Sequence, residues 1–466
     1  MNLYFRLTVL VTSILLCLKT ISAEGYDLPT LPPMPSVSAP LTPNSIPMGD
    51  PSNFAEVKMD FPIETNGPFL PNWTSISNNL PTDVDALRQA KFGIWVHYGP
   101  QASGMSGDWY AQHMYQQGSL AYSNHLEMFG HPITNGYKDV VHLWNPTNYD
   151  PAALAHIYYN AGARFVLVQG VHHDNFDNWN SKYNQWNIMN FGAKRDTMAE
   201  WFKAARSLNM RIGVAFHHEY SWWFYAPAYG ADASGPLAGV PYDAVTDTNG
   251  TGTWWQNYDL RRLYNINLNE YQAVKNQNLS GGWSPDQGIF SNHLDYAHWY
   301  ATQWALRILD VIEQYDPDFI YTDGDSTQPF SGYYTGTGYK CDAMQRVIAH
   351  LENRAVERHG KADVFSVVKF HPGDRVVTTY EGLYPSGIVN NQPWMADTAV
   401  GDWFYRNGFT YDSGMVIHEL LECVSRDGAA CICISLRPDG SLDSGSRSML
   451  QQIGQWMTIN GEGIYG

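Results

Sequence analysis

The amino-acid sequence predicts an α/β protein folded as one (β/α) barrel. Short apolar runs typical of buried strands alternate with helical segments from residue 92 to the C-terminal region. A chain of 466 residues is long enough for one barrel-sized domain. Several predicted strands end in His or Asp, and functional side chains collect at the C-terminal ends of barrel strands. No Gly-rich dinucleotide fingerprint or phosphate loop follows a strand, so a nucleotide-binding open sheet is not indicated.

The N-terminal part of the chain is expected to lie outside the barrel. Residues 1–23 have an early Arg, a long apolar run and a small-residue ending, which is the pattern of a secretory signal peptide. We therefore expect a secreted, extracellular protein. Residues 24–60 are rich in Pro, Ser and Thr and predict a flexible linker. The barrel domain is expected over residues 61–466.

Secretion would allow two covalent modifications. Asn-X-Ser/Thr sequons are glycosylation acceptors in a eukaryotic host and predict a glycoprotein. The four cysteines after the signal peptide allow two disulfides, but Cys431 and Cys433 alternate on one predicted strand and fit buried free thiols equally well. The sequons are at Asn72, Asn249 and Asn278, and the other two cysteines are Cys341 and Cys423.

The first half of the chain contains three predicted strands, each preceded by a helical segment. The strands are continuous apolar runs, as expected of strands buried on both faces. The helices keep apolar residues at helical spacing, and Gly162 ends the second one. In order, these elements are helix 84–89, strand 92–98, helix 152–158, strand 165–168, helix 198–208 and strand 212–216.

A Gly-, Asn- and Tyr-rich insertion over residues 226–287 separates the two halves. An amphipathic helix over residues 296–315 then leads into the strand that ends at Asp323. The alternation of helices and strands continues from there to the last helix of the chain. The remaining elements are helix 342–356, strands 364–370 and 376–381, helix 414–425, strand 430–436 and helix 446–459.

Polar residues end four of the predicted strands. Asp323 follows the apolar run 319–322 and precedes Gly324, so it is the strongest candidate for a catalytic acid at the barrel mouth. An Asp-Gly pair is also compatible with an ordinary turn. In a barrel, these strand ends all face one mouth. The other strand ends carry His97, His172-His173 and His217-His218.

Composition narrows the chemistry that this mouth performs. A formal net charge of −17 argues against a nucleic-acid partner. The 17 tryptophans offer stacking surfaces for sugar rings. A zinc site with Asp174 or Glu219 is disfavoured, because adjacent histidines on a strand point to opposite faces and no helical His pair is present. A carboxylate pair flanking a glycosidic bond is favoured, and a sugar-binding barrel without catalysis is the alternative.

Five ordered motifs make this expectation more specific. They are Lys91-Phe-Gly-Ile-Trp-Val-His97-Tyr-Gly-Pro-Gln, Gly107-Asp-Trp-Tyr110, His172-His-Asp-Asn-Phe176-Asp-Asn-Trp-Asn-Ser-Lys-Tyr183, Tyr321-Thr-Asp-Gly324 and Gln392-Pro-Trp-Met-Ala-Asp-Thr398. Together they resemble the α-L-fucosidases of glycoside hydrolase family 29. The resemblance implies a retaining exo-glycosidase on an irregular (β/α)8-like (TIM) barrel. It also implies that the enzyme acts without a metal or cofactor on a fucosylated oligosaccharide or glycoconjugate.

The resemblance also implies roles for individual residues. Asp323 matches the family nucleophile. Neutral imidazoles, each with one donor and one acceptor, are suited to reading sugar hydroxyls. The residues that match the fucose-binding positions are His97, Trp109, His172 and His173, with Asp108 where the family often has Glu. We also place His217, which ends a strand, and Trp394, from the last motif, in the substrate site.

The sequence departs from the family pattern in two respects. Many members carry the acid/base Glu directly after the Trp of a Pro-Trp-Glu motif, but Met395 stands there and cannot donate a proton. Glu381 occupies the place from which other members supply this acid, and we predict it to be the acid/base. Relatives usually continue into a small β-sandwich, which this chain is expected to lack because it ends at Gly466. A catalytically inactive, fucose-binding barrel is the alternative function.

Overall fold

The computed structural model describes residues 26–36, 41–42, 55–57, 59, 67–78, 85–219, 221, 224–244, 250–266, 289–290, 292–323, 339–369, 377–409 and 411–466. In these residues eight parallel strands form one sheet that curls into a barrel. The strands are β1 (Phe92–Val96), β2 (Phe165–Val171), β3 (Arg211–Phe216), β4 (Phe319–Thr322), β5 (Phe365–Val368), β6 (Thr378–Glu381), β7 (Trp394–Ala399) and β8 (Ala429–Cys433).

The barrel closes between the two terminal strands of the sheet. The strand order is β6-β7-β8-β1-β2-β3-β4-β5, and all neighbouring pairs are parallel. A single parallel bridge joins Val367 of β5 to Val377, whose amide donates to the Ser366 carbonyl at 2.9 Å. The predicted (β/α)8-like barrel is therefore confirmed, with a weak point between β5 and β6.

Helices surround the barrel. The six longer helices are α1 (Pro151–Asn160), α2 (Thr197–Ser207), α3 (His293–Tyr315), α4 (Ala343–His359), α5 (Ser413–Ser425) and α6 (Ser444–Asn460). In four of them, α1, α2, α5 and α6, an Asp side chain at the N-cap accepts a backbone N–H of the first turn. The shorter α-helices are Trp73–Asn78, Asp85–Ala90, Tyr110–His113, Leu120–Met128, Tyr137–Leu143, Arg261–Tyr264 and Glu462–Tyr465.

The barrel is irregular on the side of β6 and β7. Residues 382–393, which connect these two strands, contain no helix. The sequence analysis did not recognise β7 as a strand. Its residues Trp-Met-Ala-Asp-Thr-Ala follow a proline and mix polar with apolar side chains, so they lack the continuous apolar run of the other strands.

Part of the predicted linker packs on the barrel domain. The Tyr183 hydroxyl donates to the Pro29 carbonyl at 2.8 Å, and the Trp299 indole donates to the Pro32 carbonyl at 2.9 Å. Residues 55–57 pair with Tyr339–Cys341 in a two-stranded sheet. The flexible-linker prediction for residues 24–60 is therefore corrected for these residues. Extended Pro-rich backbone leaves its carbonyls free to accept side-chain donors, which composition alone does not show.

The structure also bears on the predictions about secretion. The cysteines at 341, 423, 431 and 433 are free and buried. Asn72 is exposed, whereas Asn249, Asn278 and residues 1–23 lie outside the described residues. In the part of the chain that is described, no helix combines the length and apolar character needed to cross a bilayer.

Candidate active site

A cavity of about 190 Å³ lies at the C-terminal ends of the barrel strands. Eight of the nine predicted site residues line it. The lining residues are Trp95, His97, Asp108, Trp109, His172, His173, His217, Tyr321, Asp323, Lys369, Glu381, Asp397 and Trp403. The cavity thus combines acids, one lysine, four histidines and four large aromatic rings, with room for a single sugar residue.

The alternation of side chains along the strands explains why these residues meet. Residues in the barrel interior form a cluster of their own, and the residue two positions further along the strand faces the same side. Tyr321 is an interior residue, so Asp323 faces the mouth above it. Four other interior residues precede a site residue in the same way, in the pairs Trp95–His97, Ala215–His217, Val367–Lys369 and Met395–Asp397.

Lys369 joins the two predicted catalytic carboxylates. Its ammonium lies 2.8 Å from Asp323 Oδ1 and 2.8 Å from Glu381 Oε2. Those two oxygens are therefore separated by no more than twice this distance, which fits the spacing of roughly 5 to 5.5 Å in retaining glycosidases better than the roughly 6.5 to 9.5 Å of inverting ones. Asp323 is buried, whereas the side chain of Glu381 is 44% exposed at the rim. Burial lowers the pKa of Lys369, but the surrounding carboxylates outweigh it and raise that pKa.

Hydrogen bonds fix the ring orientation of three histidines. The Gln101 amide donates to His172 Nδ1 at 2.8 Å, and the Gln169 amide donates to His217 Nδ1 at 3.0 Å. Both rings therefore present Nε2–H as a donor when neutral. His173 Nδ1 instead donates to the His217 carbonyl at 2.9 Å, so its Nε2 is an acceptor. These hydrogen bonds therefore make Nε2 a donor in His172 and His217 and an acceptor in the neighbouring His173.

The same Nε2 atoms face carboxylates of the cavity. His173 and His217 lie 3.6 Å and 3.9 Å from Asp323 Oδ2, and His172 lies 3.6 Å from Asp108 Oδ1. These separations exceed a hydrogen bond. A sugar hydroxyl, which both donates and accepts, can contact the donor ring of His172 or His217 and the carboxylate beside it.

Burial keeps these imidazoles neutral. It lowers the pKa of His97, His172 and His217 well below the usual value and that of His173 to about 4. The ligand atoms of His97, His172 and His217 all lie within 4.8 Å of one another, a donor set that could hold a metal ion. The nearby Lys369 ammonium opposes a cation at this place.

The loop after β1 supplies Asp108 and Trp109. Trp109 has a left-handed backbone, with φ of 61°, and its amide donates to Asp108 Oδ1 at 2.8 Å. A left-handed tryptophan is uncommon and indicates a backbone held by its surroundings. Its ring meets His173 edge to face at 5.5 Å. The Asp108 amide donates to Asp402 Oδ1 at 3.0 Å, and burial followed by the Asp402 charge raises the pKa of Asp108.

The structure does not place Trp394 in the cavity, and the prediction that it binds substrate is corrected. Its ring is buried outside the barrel against Tyr380 and Gly428, and its indole donates to the Arg426 carbonyl at 3.3 Å. Because strand side chains alternate, Met395 points inward and fills the layer beneath Asp397. Met395 thus packs the interior of the barrel.

Two other expectations change. His172 and His173 both line the cavity, although adjacent strand residues should face opposite sides. The reason is that both histidines follow β2, which ends at Val171, so the alternation of side chains along a strand no longer applies to them. Glu219, considered above as a metal ligand, is buried and does not line the cavity.

Sequence reasoning missed five lining residues, namely Trp95, Tyr321, Lys369, Asp397 and Trp403. Three of them lie inside the quoted motifs, but only the strand alternation shows that they face inward. Lys369 was hidden because the predicted strand 364–370 ran past the true end of β5 at Val368. With the strand end predicted at Val368, Lys369 would have been recognised as a polar residue that follows a strand, as Asp323 was.

Comparison with known proteins is consistent with this geometry. The sequence profile of the family described as Alpha-L-fucosidase matches residues 59–462. Tissue alpha-L-fucosidase of Rattus norvegicus is 25% identical over 85% of this chain and 72% of its own length. The Homo sapiens tissue enzyme is 23% identical over the same shares of the two chains.

Solved structures show the same fold. The crystal structure of Thermotoga maritima alpha-fucosidase has a TM-score of 0.59 and 19% identity, covering 85% of this chain and 78% of that one. Alpha-L-fucosidase isoenzyme 1 from Paenibacillus thiaminolyticus has a TM-score of 0.55 and 20% identity, covering 82% and 77%. The barrel, the cavity at its mouth and the profile match over most of the chain together identify the protein as a member of the α-L-fucosidase family of glycoside hydrolases, family 29.

Proposed function

We propose that the protein is a secreted, retaining exo-glycosidase that removes terminal α-L-fucosyl residues from oligosaccharides or glycoconjugates. Asp323 attacks the anomeric carbon, and Glu381 protonates the leaving oxygen and then activates water. The observation that carries this proposal is the lysine contact that joins both carboxylates in the cavity at the barrel mouth. Their spacing suits a covalent intermediate, because no room is left for a water between acid and base.

The positions of the two acids match their roles. Asp323 is buried, which shields an ester intermediate from bulk water, and Glu381 stands at the exposed rim, where the leaving group departs and water enters. A cavity of about 190 Å³, with room for a single sugar residue, suits a terminal sugar. An inactive, fucose-binding barrel is not favoured, because a second carboxylate is present although Met395 replaces the motif Glu.

Hydrolysis of 4-nitrophenyl α-L-fucoside by the purified protein tests this function, with 4-nitrophenyl α-D-galactoside as the control. We expect turnover of the fucoside alone. Proton NMR of the early product should show α-L-fucose before mutarotation, since two inversions retain configuration. Fucose binding without turnover would favour the binding protein, and a β-anomer formed first would contradict the retaining mechanism.

Secretion is supported by the sequence of residues 1–23 and by the exposed sequon at Asn72. Expression of the full chain in a eukaryotic host should release the protein into the medium with residue 24 at its N-terminus, as read by mass spectrometry. Retention of residues 1–23 on the folded protein inside the cell would contradict this part of the proposal.

A further inference from the structure

Asp397 is a buried carboxyl at the site to which the catalytic pair assigns no role. It is 1% exposed and lines the same cavity as Asp323 and Glu381. In the parallel pairing of β6 with β7, Asp397 lies opposite Glu381, and Cys431 of β8 is its other register partner. Register partners on adjacent strands face the same side of a sheet. Asp397 and Glu381 are therefore neighbours at the mouth of the barrel.

The two oxygens of Asp397 have different surroundings. Oδ2 accepts the Tyr321 hydroxyl at 3.0 Å. Oδ1 is fully buried and has no hydrogen-bond partner within the described ranges. An ionised carboxylate with a buried, unpartnered oxygen is costly, whereas a neutral carboxylic acid there is less so. The geometry thus favours a proton on Oδ1.

The charges around Asp397 support the same conclusion. The groups that face it are Lys369, Glu381, Tyr321, Asp323 and Cys431. Burial raises the pKa of Asp397 to about 7, the Lys369 ammonium opposes this shift, and Glu381 and Asp323 reinforce it. One ammonium among three carboxyl groups cannot balance three negative charges, so the cluster retains a proton near neutral pH.

The contact between Lys369 and Glu381 explains why a proton on Asp397 would matter for catalysis. The Lys369 ammonium lies 2.8 Å from Glu381 Oε2, so in the free site this oxygen accepts from Lys369 and does not carry the proton that a leaving group needs. A general acid must carry its proton when the glycosidic bond breaks. The free site therefore needs a proton source beside Glu381 and a way to release Lys369.

We propose that Asp397 is a positioning residue that stores the proton which Glu381 delivers to the leaving oxygen. The Oδ1–H bond of Asp397 breaks, an O–H bond forms on Glu381 Oε2, and Lys369 exchanges its contact with Glu381 for one with the newly ionised Asp397. The number of protons and the net charge of the cluster stay constant. This inference rests on the proposed function, in which Glu381 is the acid.

The first test compares Asp397→Asn with the wild type. The substrates are phenyl α-L-fucoside, whose poor leaving group needs a proton, and 2,4-dinitrophenyl α-L-fucoside, whose good leaving group does not. We expect the basic limb of kcat/KM for the phenyl fucoside to move to lower pH by about one unit or more in the variant, because the stored proton is lost. The dinitrophenyl substrate serves as the reference. A basic limb at the same pH in both proteins would overturn the inference.

Tyr321→Phe is the matched control, because it removes the hydrogen bond to Oδ2 but keeps the carboxyl. That hydrogen bond favours the ionised form, so its loss should leave the basic limb unchanged or move it to higher pH. A shift to lower pH in both variants would indicate a merely structural effect and contradict proton storage. Asp397→Ser is the second uncharged variant if the Asn variant does not fold.

A stability measurement tests the stored proton without relying on activity. The raised pKa of Asp397 means that the folded state binds more protons than the unfolded state between about pH 4 and pH 7, so stability falls as pH rises through this window. The Tm of Asp397→Asn relative to the wild type should therefore increase from about pH 5 to pH 8. A constant difference would overturn the inference. If the wild type hydrolyses neither aryl fucoside, the proposed function fails, and this measurement still decides whether Asp397 holds the proton.

Discussion

Lys369 contacts both carboxylates that we propose to be catalytic, so its replacement should affect activity strongly. Lys369→Met removes the ammonium and leaves the buried Asp323 without its 2.8 Å partner. We expect kcat/KM on 4-nitrophenyl α-L-fucoside to fall roughly 100-fold or more, as for the loss of one preorganised charged contact in an active site. Lys369→Arg keeps the charge and should recover part of the rate. A Met variant within threefold of the wild type would contradict this role.

The two acids should differ in their dependence on the leaving group. Glu381→Ala should lose most activity on phenyl α-L-fucoside but keep it on 2,4-dinitrophenyl α-L-fucoside, which needs no protonation. Added azide should restore turnover of the activated substrate as a fucosyl azide. Asp323→Ala should be nearly inactive on both. Full activity of Glu381→Ala on the phenyl fucoside would show that another group is the acid.

At the level of single residues, the site residues at strand ends were predicted from the sequence, and those within strands were not. His97, His172, His173 and Asp323 lie at strand ends, so a pattern of apolar run followed by polar residue identifies them. Tyr321 and Asp397 lie within strands, where an inward direction depends on the pleat and not on composition. Trp394 was predicted to bind substrate because it lies in a motif. Its strand neighbour Met395 points into the barrel, so the Trp394 side chain points out of it.

At the level of elements, the N-terminal segment has a testable effect on stability. Trp299→Phe keeps a ring on α3 but removes the 2.9 Å hydrogen bond to the Pro32 carbonyl. The free energy of unfolding in urea should fall by about 1 kcal/mol, the usual worth of one hydrogen bond, with kcat/KM unchanged. Trp456→Phe is the control. This half-buried tryptophan on α6 donates no indole hydrogen bond to any described residue, and equal losses in both variants would mean that the segment adds no stability.

The bounds of the long helices were predictable from the sequence, whereas the packing of the insertion was not. The six long helices begin and end within three residues of their predicted bounds, because amphipathic spacing and Asp caps are local signals. In the insertion, Trp254 stacks on His142 at 4.1 Å and donates to Asp139, and Trp255 is buried. Long-range packing of this kind leaves no periodic signal in the sequence.

At the level of the whole molecule, the junction between β5 and β6 should be the most easily opened part of the barrel. The described residues join these strands through the single bridge of Val367 and Val377, whereas other neighbouring strands share four or more register pairs. Amide hydrogen exchange should therefore be faster in β6 than in β1 to β4. Equal protection of β6 and β2 would contradict a weak closure.

The fold as a whole was predictable because buried strands alternate with helices along most of the barrel domain. The closure of the barrel was not predictable. It depends on the single bridge between Val367 and Val377, and the sequence around these residues contains no pairing signal. The site forms only when the ends of β1 to β7 meet, and Lys369 and Asp397 come from strands whose ends the sequence marks poorly.

Trapping the covalent intermediate tests the central claim most directly. Glu381→Gln incubated with 2-deoxy-2-fluoro-L-fucosyl fluoride should form an ester, because fluoride leaves without a proton and the fluorine slows hydrolysis. Mass spectrometry of the digested protein should find one fluorofucosyl group, attached to Asp323. Attachment to Asp397 or another residue, or no adduct while the wild type hydrolyses aryl α-L-fucosides, would contradict a retaining mechanism with Asp323 as the nucleophile.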